Sequence, residues 1–265
     1  MLKPKVLVLT GFGINCDYET LEAFQMVGAE AERVHLNDLI SGEKNMLSYQ
    51  ILAFPGGFSF GDDIASGKVL ANKFKFNLQE SLEQFIKDKK LIIGICNGFQ
   101  VMVKLGILPG FDENYKQQLT TLTFNNSGKF ENRWVYLKAN KSSSCIFTQG
   151  IDLIYLPVRH GEGNFITKDE NVLKKLHTQN QIVFSYVDEN GKSVNGKYPE
   201  NPNGAMDDIA GICDPTGKIF GLMPHPEAYL CQTNHPRWTR EKNLPQEGMG
   251  VQVFRNAVEY IKKNF

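Results

Sequence analysis

Three short apolar runs constrain this chain more than any other feature. Lys5–Thr10 (KVLVLT), Ile51–Phe54 (ILAF) and Leu91–Ile95 (LIIGI) are continuous rather than alternating. A run with no polar alternation is buried on both faces, as strands inside a parallel sheet are. Between the runs lie stretches with helical spacing: 17–27, stopped by Gly28, and 71–90, read as helix with breaks. Another helix follows the third run over 99–105. This alternation predicts an α/β fold, an open, mostly parallel sheet covered by helices on both faces. The second half reads differently. Residues 119–137, 152–158 and 181–187 are strand-like and separated by turn residues, and 198–204 (YPENPNG) is a turn cluster. A hairpin is expected from 210–213 and 219–223 around Asp214-Pro215-Thr216-Gly217, and 252–263 closes as an amphipathic helix. With no repeat and no linker, residues 1–265 read as one domain.

Several function classes drop out. Basic and acidic residues balance at 29 each, so nothing global calls for nucleic acid or an anionic membrane. No apolar run approaches the roughly 18 residues of a membrane span. The N-terminal MLKPKVLVLTGFG begins like a signal peptide but leads into Gly11 and Gly13 without a small-residue cleavage pattern, so it reads as the first strand. Cys16, Cys96, Cys145, Cys213 and Cys231 are odd in number, scattered, and form no Cys-x-x-Cys. That argues against a disulfide framework or a zinc site and for a reducing, cytoplasmic setting. Nucleotide motifs also fail. In Gly11-Phe12-Gly13 the third glycine of a dinucleotide fingerprint would fall at Cys16, and 61–69 (GDDIASGKV) ends in Val69 where a phosphate loop needs Ser or Thr.

The third apolar run leads into Gly94-Ile95-Cys96-Asn97-Gly98-Phe99-Gln100. Gly-x-Cys-x-Gly is the cysteine counterpart of a nucleophile elbow, a sharp strand-to-helix turn with the nucleophile at its apex. The following helix would direct its first N–H groups at the sulfur and favour thiolate, with the N–H of Asn97 placed for an oxyanion. A buried core cysteine is the competing reading, and the elbow alone leaves both open. Two of the five histidines have a carboxylate two residues later: His225-Pro226-Glu227 and His160-Gly161-Glu162. In extended chain either pair faces one side. Pro224 and Pro226 hold the first pair rigidly, whereas the glycines around His160 imply a pliant loop, or one needing positive φ, suited to a backbone contact or a partner-facing turn rather than to catalysis. Pro55-Gly56-Gly57-Phe58-Ser59-Phe60-Gly61-Asp62-Asp63 also follows a strand. Its N–H groups can line a small concavity at the strand edge where ligands collect.

PGGFSFGD (55–62), GICNGFQ (94–100) and MPHPE (223–227) together resemble the triad-type (class I) glutamine amidotransferases. RHGEGNF (159–165), NNSGKFENRW (125–134), YPENPNGAMDDIAGI (198–212), GFGINCD (11–17) and FRNAVEYI (254–261) narrow the resemblance to the glutaminase subunits of phosphoribosylformylglycinamidine synthase. The resemblance implies a flavodoxin-like sheet. It also implies a triad in which Cys96 attacks the glutamine amide, His225 moves the proton and Glu227 orients the imidazole. Gly57 and Asn97 would be oxyanion donors and Gln100 would hold glutamine, with help from the 126–130 region. It implies no cofactor or metal in this chain, with ATP and magnesium on a large synthetase subunit and a small third subunit completing the complex. Ammonia would pass to the synthetase for purine synthesis. Two departures stand out: Ala228 where the family usually has arginine, and a long 231–250 segment read as partner-facing. The alternatives are a glutaminase serving another ammonia acceptor, a cysteine hydrolase of similar fold, and a binding subunit without activity.

Overall fold

The computed structural model describes residues 3–265. Met1 and Leu2, where the N-terminal strand reading begins, lie outside the described residues. The chain runs β1 (Lys5–Thr10), α1 (Asp17–Met26), β2 (Glu30–His35), α2 (Leu36–Ser41), β3 (Ile51–Phe54), α3 (Lys68–Asn77), α4 (Gln79–Lys87), β4 (Leu91–Ile95) and α5 (Asn97–Leu105). It continues with β5 (Thr120–Thr123), β6 (Glu131–Ala139), β7 (Leu153–His160), β8 (Asn164–Thr167), α6 (Glu170–Thr178), β9 (Ile182–Val187), β10 (Ile209–Cys213), β11 (Ile219–Leu222) and α7 (Val251–Asn264).

Nine strands form one sheet in the order β2-β1-β3-β4-β11-β10-β9-β6-β7. The three apolar runs are β1, β3 and β4, paired in parallel at its centre, with β2 and β11 parallel on either side. Their middles are fully buried, as continuous apolar character demands. β1→β2 and β3→β4 move outward in opposite directions. Right-handed crossovers therefore put α1 on one face and α3–α4 on the other. α7 joins α1, with Phe24 edge-on to Phe254 at 5.0 Å between centroids. The expected 71–90 helix is two helices broken at Leu78.

Beyond β11 the sheet turns antiparallel through β10, β9, β6 and β7, so the expected hairpin is the start of a longer extension. The 119–137 stretch divides into β5 and β6, and β5 pairs with β8 in a separate ribbon that lays Phe165 on Phe99 of α5. β2, β8 and α6 carry no strong sequence signal. β2 (EAERVH) is an edge strand with Val34 alone fully inside, the polar composition that discourages further pairing.

The direction of each strand builds the site. Four alternations after β11 bring β7 back to the direction of the parallel strands. The loops after β1, β3, β4, β7 and β11 therefore all emerge at one edge of the sheet. In such folds ligands bind at that edge. No helix among the described residues is long and apolar enough to cross a membrane.

Candidate active site

Cys96 stands one residue beyond β4 and caps α5. Its N–H donates to the Leu222 carbonyl of β11 at 2.8 Å, while its own carbonyl accepts from Gln100 at 3.0 Å. Serving the sheet and the helix at once drives the residue to φ 51°, ψ −106°. A non-glycine held there stores about 1–3 kcal/mol of strain, and such strain collects at functional sites. The cysteine bears it and not its glycine neighbours, neither of which has positive φ. Gly98 serves close approach instead: a Cβ there would lie 1.9 Å from the Phe54 carbonyl oxygen of β3. The first-turn N–H of Asn97 has no intrahelical acceptor, and the positive end of the helix dipole meets the sulfur.

The loop after β3 forms the facing wall. Gly57 has φ 153°, and a Cβ on it would come 2.6 Å from the Gly13 carbonyl oxygen. This contact fits the loop after β1 against it: Phe58 N–H donates to Gly13 at 2.7 Å, and Cys16 N–H donates to Gly56 at 3.1 Å. Asn97 ties wall and elbow together by its side chain. Its Oδ1 accepts from Ser59 N–H at 3.2 Å, and its Nδ2 donates to Asp62 at 3.1 Å and Gln100 Oε1 at 2.9 Å. The elbow pattern in the sequence points only to the backbone N–H of Asn97, not to this side chain. Asp62, inside a failed phosphate-loop pattern, is part of this tie.

His225 follows β11 with extended backbone, φ −106° and ψ 93°, the geometry Pro226 imposes on the residue before it. Its N–H is anchored on the Pro157 carbonyl at 2.8 Å. Nδ1 lies 2.5 Å from Glu227 Oε1, and both side chains are inside the protein. Burial by itself would lower the imidazole pKa. The Glu227 carboxylate, aided by the Cys96 and Cys16 sulfurs, outweighs it and holds His225 well above its ordinary value. Among the described residues Nε2 is buried without a hydrogen-bond partner, while the Cys96 thiol lies 3.7 Å from the Arg159 carbonyl. The Arg159 guanidinium reaches from β7 to within 3.8 Å of Glu227 Oε1. Cys16, in the loop after β1, packs its sulfur beside this pair; donor atoms of Cys16, His225 and Glu227 lie within 4.8 Å of one another. Burial, opposed by the nearby His225 imidazole, pushes the Cys16 thiol pKa up. A protonated thiol is a poor nucleophile and a poor metal ligand. No residue spacing distinguishes Cys16; only the meeting of two loops reveals it.

A cavity of about 130 Å³ opens on Cys96 and is bounded by Gly57, Gln100, Arg159, His160 and Glu162, with Phe58, Phe124 and Phe130 among its other lining residues. Gln100 is in the wall, but its amide is engaged, Nε2 donating to the Glu162 carbonyl at 2.6 Å and Oε1 accepting from Asn97. The reading of His160 as a residue of a pliant loop is corrected. It is the last residue of β7, 2 % exposed, and its ring packs on Gly163 so closely that a Cβ there would be 2.3 Å from it. Glu162 does not orient His160; its carboxylate accepts instead from Ser66 N–H at 3.4 Å. Glycine here makes room for a buried ring rather than conferring mobility.

A cysteine on a strained elbow, a buried histidine–carboxylate pair beside it and a glycine wall on a doubly wound sheet define a triad-type glutamine amidotransferase. Residues 3–261 match the family of CobB/CobQ-like glutamine amidotransferase domains. The phosphoribosylformylglycinamidine synthase subunit PurQ of Methanococcus maripaludis is 49% identical, over 98% of both chains. The protein of that name from Dehalococcoides mccartyi is 50% identical over 99% of this chain and 100% of its own. Among solved structures, PurLQS from Thermotoga maritima includes a chain with TM-score 0.72 and 28% identity, aligned over 98% of this chain and 100% of that one. The chain belongs to the CobB/CobQ-like glutamine amidotransferases and, within them, to the PurQ subunits of phosphoribosylformylglycinamidine synthase.

Proposed function

We propose that Cys96, His225 and Glu227 are the catalytic triad with which this chain, the glutaminase subunit of phosphoribosylformylglycinamidine synthase, hydrolyses glutamine. The observation that carries the assignment is the short bond between His225 Nδ1 and Glu227, both buried, beside a cysteine held at positive φ. Cys96 gives its proton to His225 Nε2 before the attack, as the raised imidazole pKa favours, and the sulfur then adds to the side-chain amide carbon. The carbonyl electron pair moves to oxygen, and the N–H groups of Gly57 and Asn97 receive the oxyanion. When the tetrahedral species collapses, the C–N bond breaks, His225 returns the proton to nitrogen, and ammonia leaves a glutamyl thioester. Water, deprotonated by the same imidazole, then splits the thioester to glutamate and restores the thiol. Glu227 keeps Nδ1 protonated throughout and offsets the charge of the imidazolium. Gln100, through Asn97 and the Glu162 carbonyl, shapes the wall against which glutamine lies.

Residues 1–265 act as one glutamine amidotransferase domain in the cytoplasm. The reaction in this chain needs no cofactor. ATP and magnesium act on the large synthetase subunit, where ammonia converts formylglycinamide ribonucleotide to the amidine, and a small third subunit completes the assembly. The 231–250 excursion, with Trp238 exposed, faces the partner. An electrophilic glutamine analogue, followed by peptide mapping, tests the nucleophile. The adduct is expected on Cys96. Labelling of Cys16 instead overturns the assignment.

A further inference from the structure

Asn125 determines the chemical state of His160. Its Nδ2 donates to two backbone carbonyls, Lys129 at 2.9 Å and His160 at 2.8 Å. Its Oδ1 accepts from the Gly163 N–H at 2.9 Å. Backbone groups cannot exchange donor for acceptor, so these three bonds settle which way the amide points. The same Oδ1 lies 3.1 Å from His160 Nδ1. An amide oxygen only accepts, so Nδ1 carries the proton and Nε2 is a bare lone pair. Among the described residues Nε2 has no hydrogen-bond partner, and it is buried. Burial, with the nearby His225 adding to it, lowers the pKa of the ring to about 3. The ring therefore stays a neutral acceptor at physiological pH. A buried acceptor left unpaired is costly. This one belongs to a residue that bounds the Cys96 cavity.

We propose that His160 is a specificity-determining residue whose Nε2 accepts a hydrogen bond from the carboxamide N–H of bound glutamine, separating substrate from the product glutamate. This rests on the glutaminase reading above. Glutamine brings two kinds of N–H, the α-ammonium and the side-chain amide. The cavity also presents Asp62 and Glu162. Charge-assisted bonds are about twice as strong as neutral ones, so the ammonium takes the carboxylates and the amide is left for the neutral lone pair. The amide oxygen is directed at the N–H groups of Gly57 and Asn97, which turns the amide nitrogen to the other side. The side-chain carboxylate of glutamate has no proton to give at neutral pH and sets lone pair against lone pair. A site built around a donor on its ligand rejects the analogue without it. Once ammonia has left, the same mismatch favours release of product.

The Cys96→Ala chain, labelled with ¹⁵N-histidine, is titrated with glutamine and with glutamate, saturation being checked by calorimetry. Saturating glutamine is expected to move the His160 Nε2 resonance upfield and saturating glutamate to leave it in place. Equal shifts with both ligands would assign the donor to the α-ammonium and overturn the proposal, as would no shift with glutamine. In steady state, His160→Phe is expected to raise KM for glutamine about tenfold or more with a smaller fall in kcat, while inhibition by glutamate strengthens relative to it. His160→Gln, which restores an acceptor, recovers part of the effect. An unchanged ratio of glutamine KM to glutamate Ki in His160→Phe also sinks the idea. Ammonia release by the Cys96→Ala chain would refute the triad reading separately, whatever the resonance does.

Discussion

His225 and His160 begin from the same sequence signature, a histidine two residues before a glutamate, and end at the same edge of the sheet, both buried. One imidazole gives its Nδ1 proton to a carboxylate 2.5 Å away, the other to an amide oxygen at 3.1 Å. A carboxylate repays the burial of a cation and an amide does not. So His225 is held well above its ordinary pKa and His160 is lowered to about 3. The first can move a proton and the second can only accept a hydrogen bond. The partner of the ring, not the spacing that announced it, separates a base from a wall.

The sharpest way to break this contrast is Glu227→Gln, which gives His225 the kind of partner His160 has. kcat for glutamine hydrolysis is expected to fall by about 10⁴-fold with KM little changed. A loss under tenfold would mean that the carboxylate does not make the base. Stability against pH separates the two rings next. Unfolded histidine takes a proton near pH 6.5, and folded His160 does so at about 3. Between those values the unfolded state binds more protons, so His160 lowers stability as pH falls. The loss is on the order of 3 kcal/mol between pH 7 and 4, and His160→Gln should flatten that limb in urea titrations. His225 has the opposite sign. Its contribution is full below the unfolded pKa and fades as pH rises through the raised folded value, so the deficit of His225→Gln should shrink toward alkaline pH. Parallel slopes for the two variants would erase the contrast. The smallest effect is expected at Arg159, whose Nη2 is 3.8 Å from Glu227 Oε1, beyond hydrogen-bond distance. A contact that shares no hydrogen bond with the carboxylate supports it only weakly, so Arg159→Leu should lower kcat by less than about fivefold. A larger loss would make the guanidinium part of the buried machinery.

The parallel centre of the sheet was legible because each of its three strands is apolar along its length, and burial on both faces allows little else. The elbow and the His225-Pro226-Glu227 pair were legible for a local reason. A turn that bears a nucleophile and a backbone stiffened by proline both leave their marks within a few residues. β2 and α6 were not, since an edge strand and a surface helix are mostly polar and owe their form to what they lie against. The contents of the cavity wall were the least legible part. Asn125, His160 and Gly163 meet through hydrogen bonds between side chains and backbone that no spacing encodes. Cys16 reaches the imidazole only because the loops after β1 and β11 share one edge.

By itself, then, the sequence determined the strands that form the core, the residue that turns sharply after β4 and the pair made stiff by proline, all consequences of local sterics and of apolar continuity. Tertiary structure alone decided that His160 is a neutral acceptor rather than a mobile loop residue. Whether a buried imidazole is charged depends on the group facing its ring nitrogen, and Asn125, which faces it, lies 35 residues away in the chain.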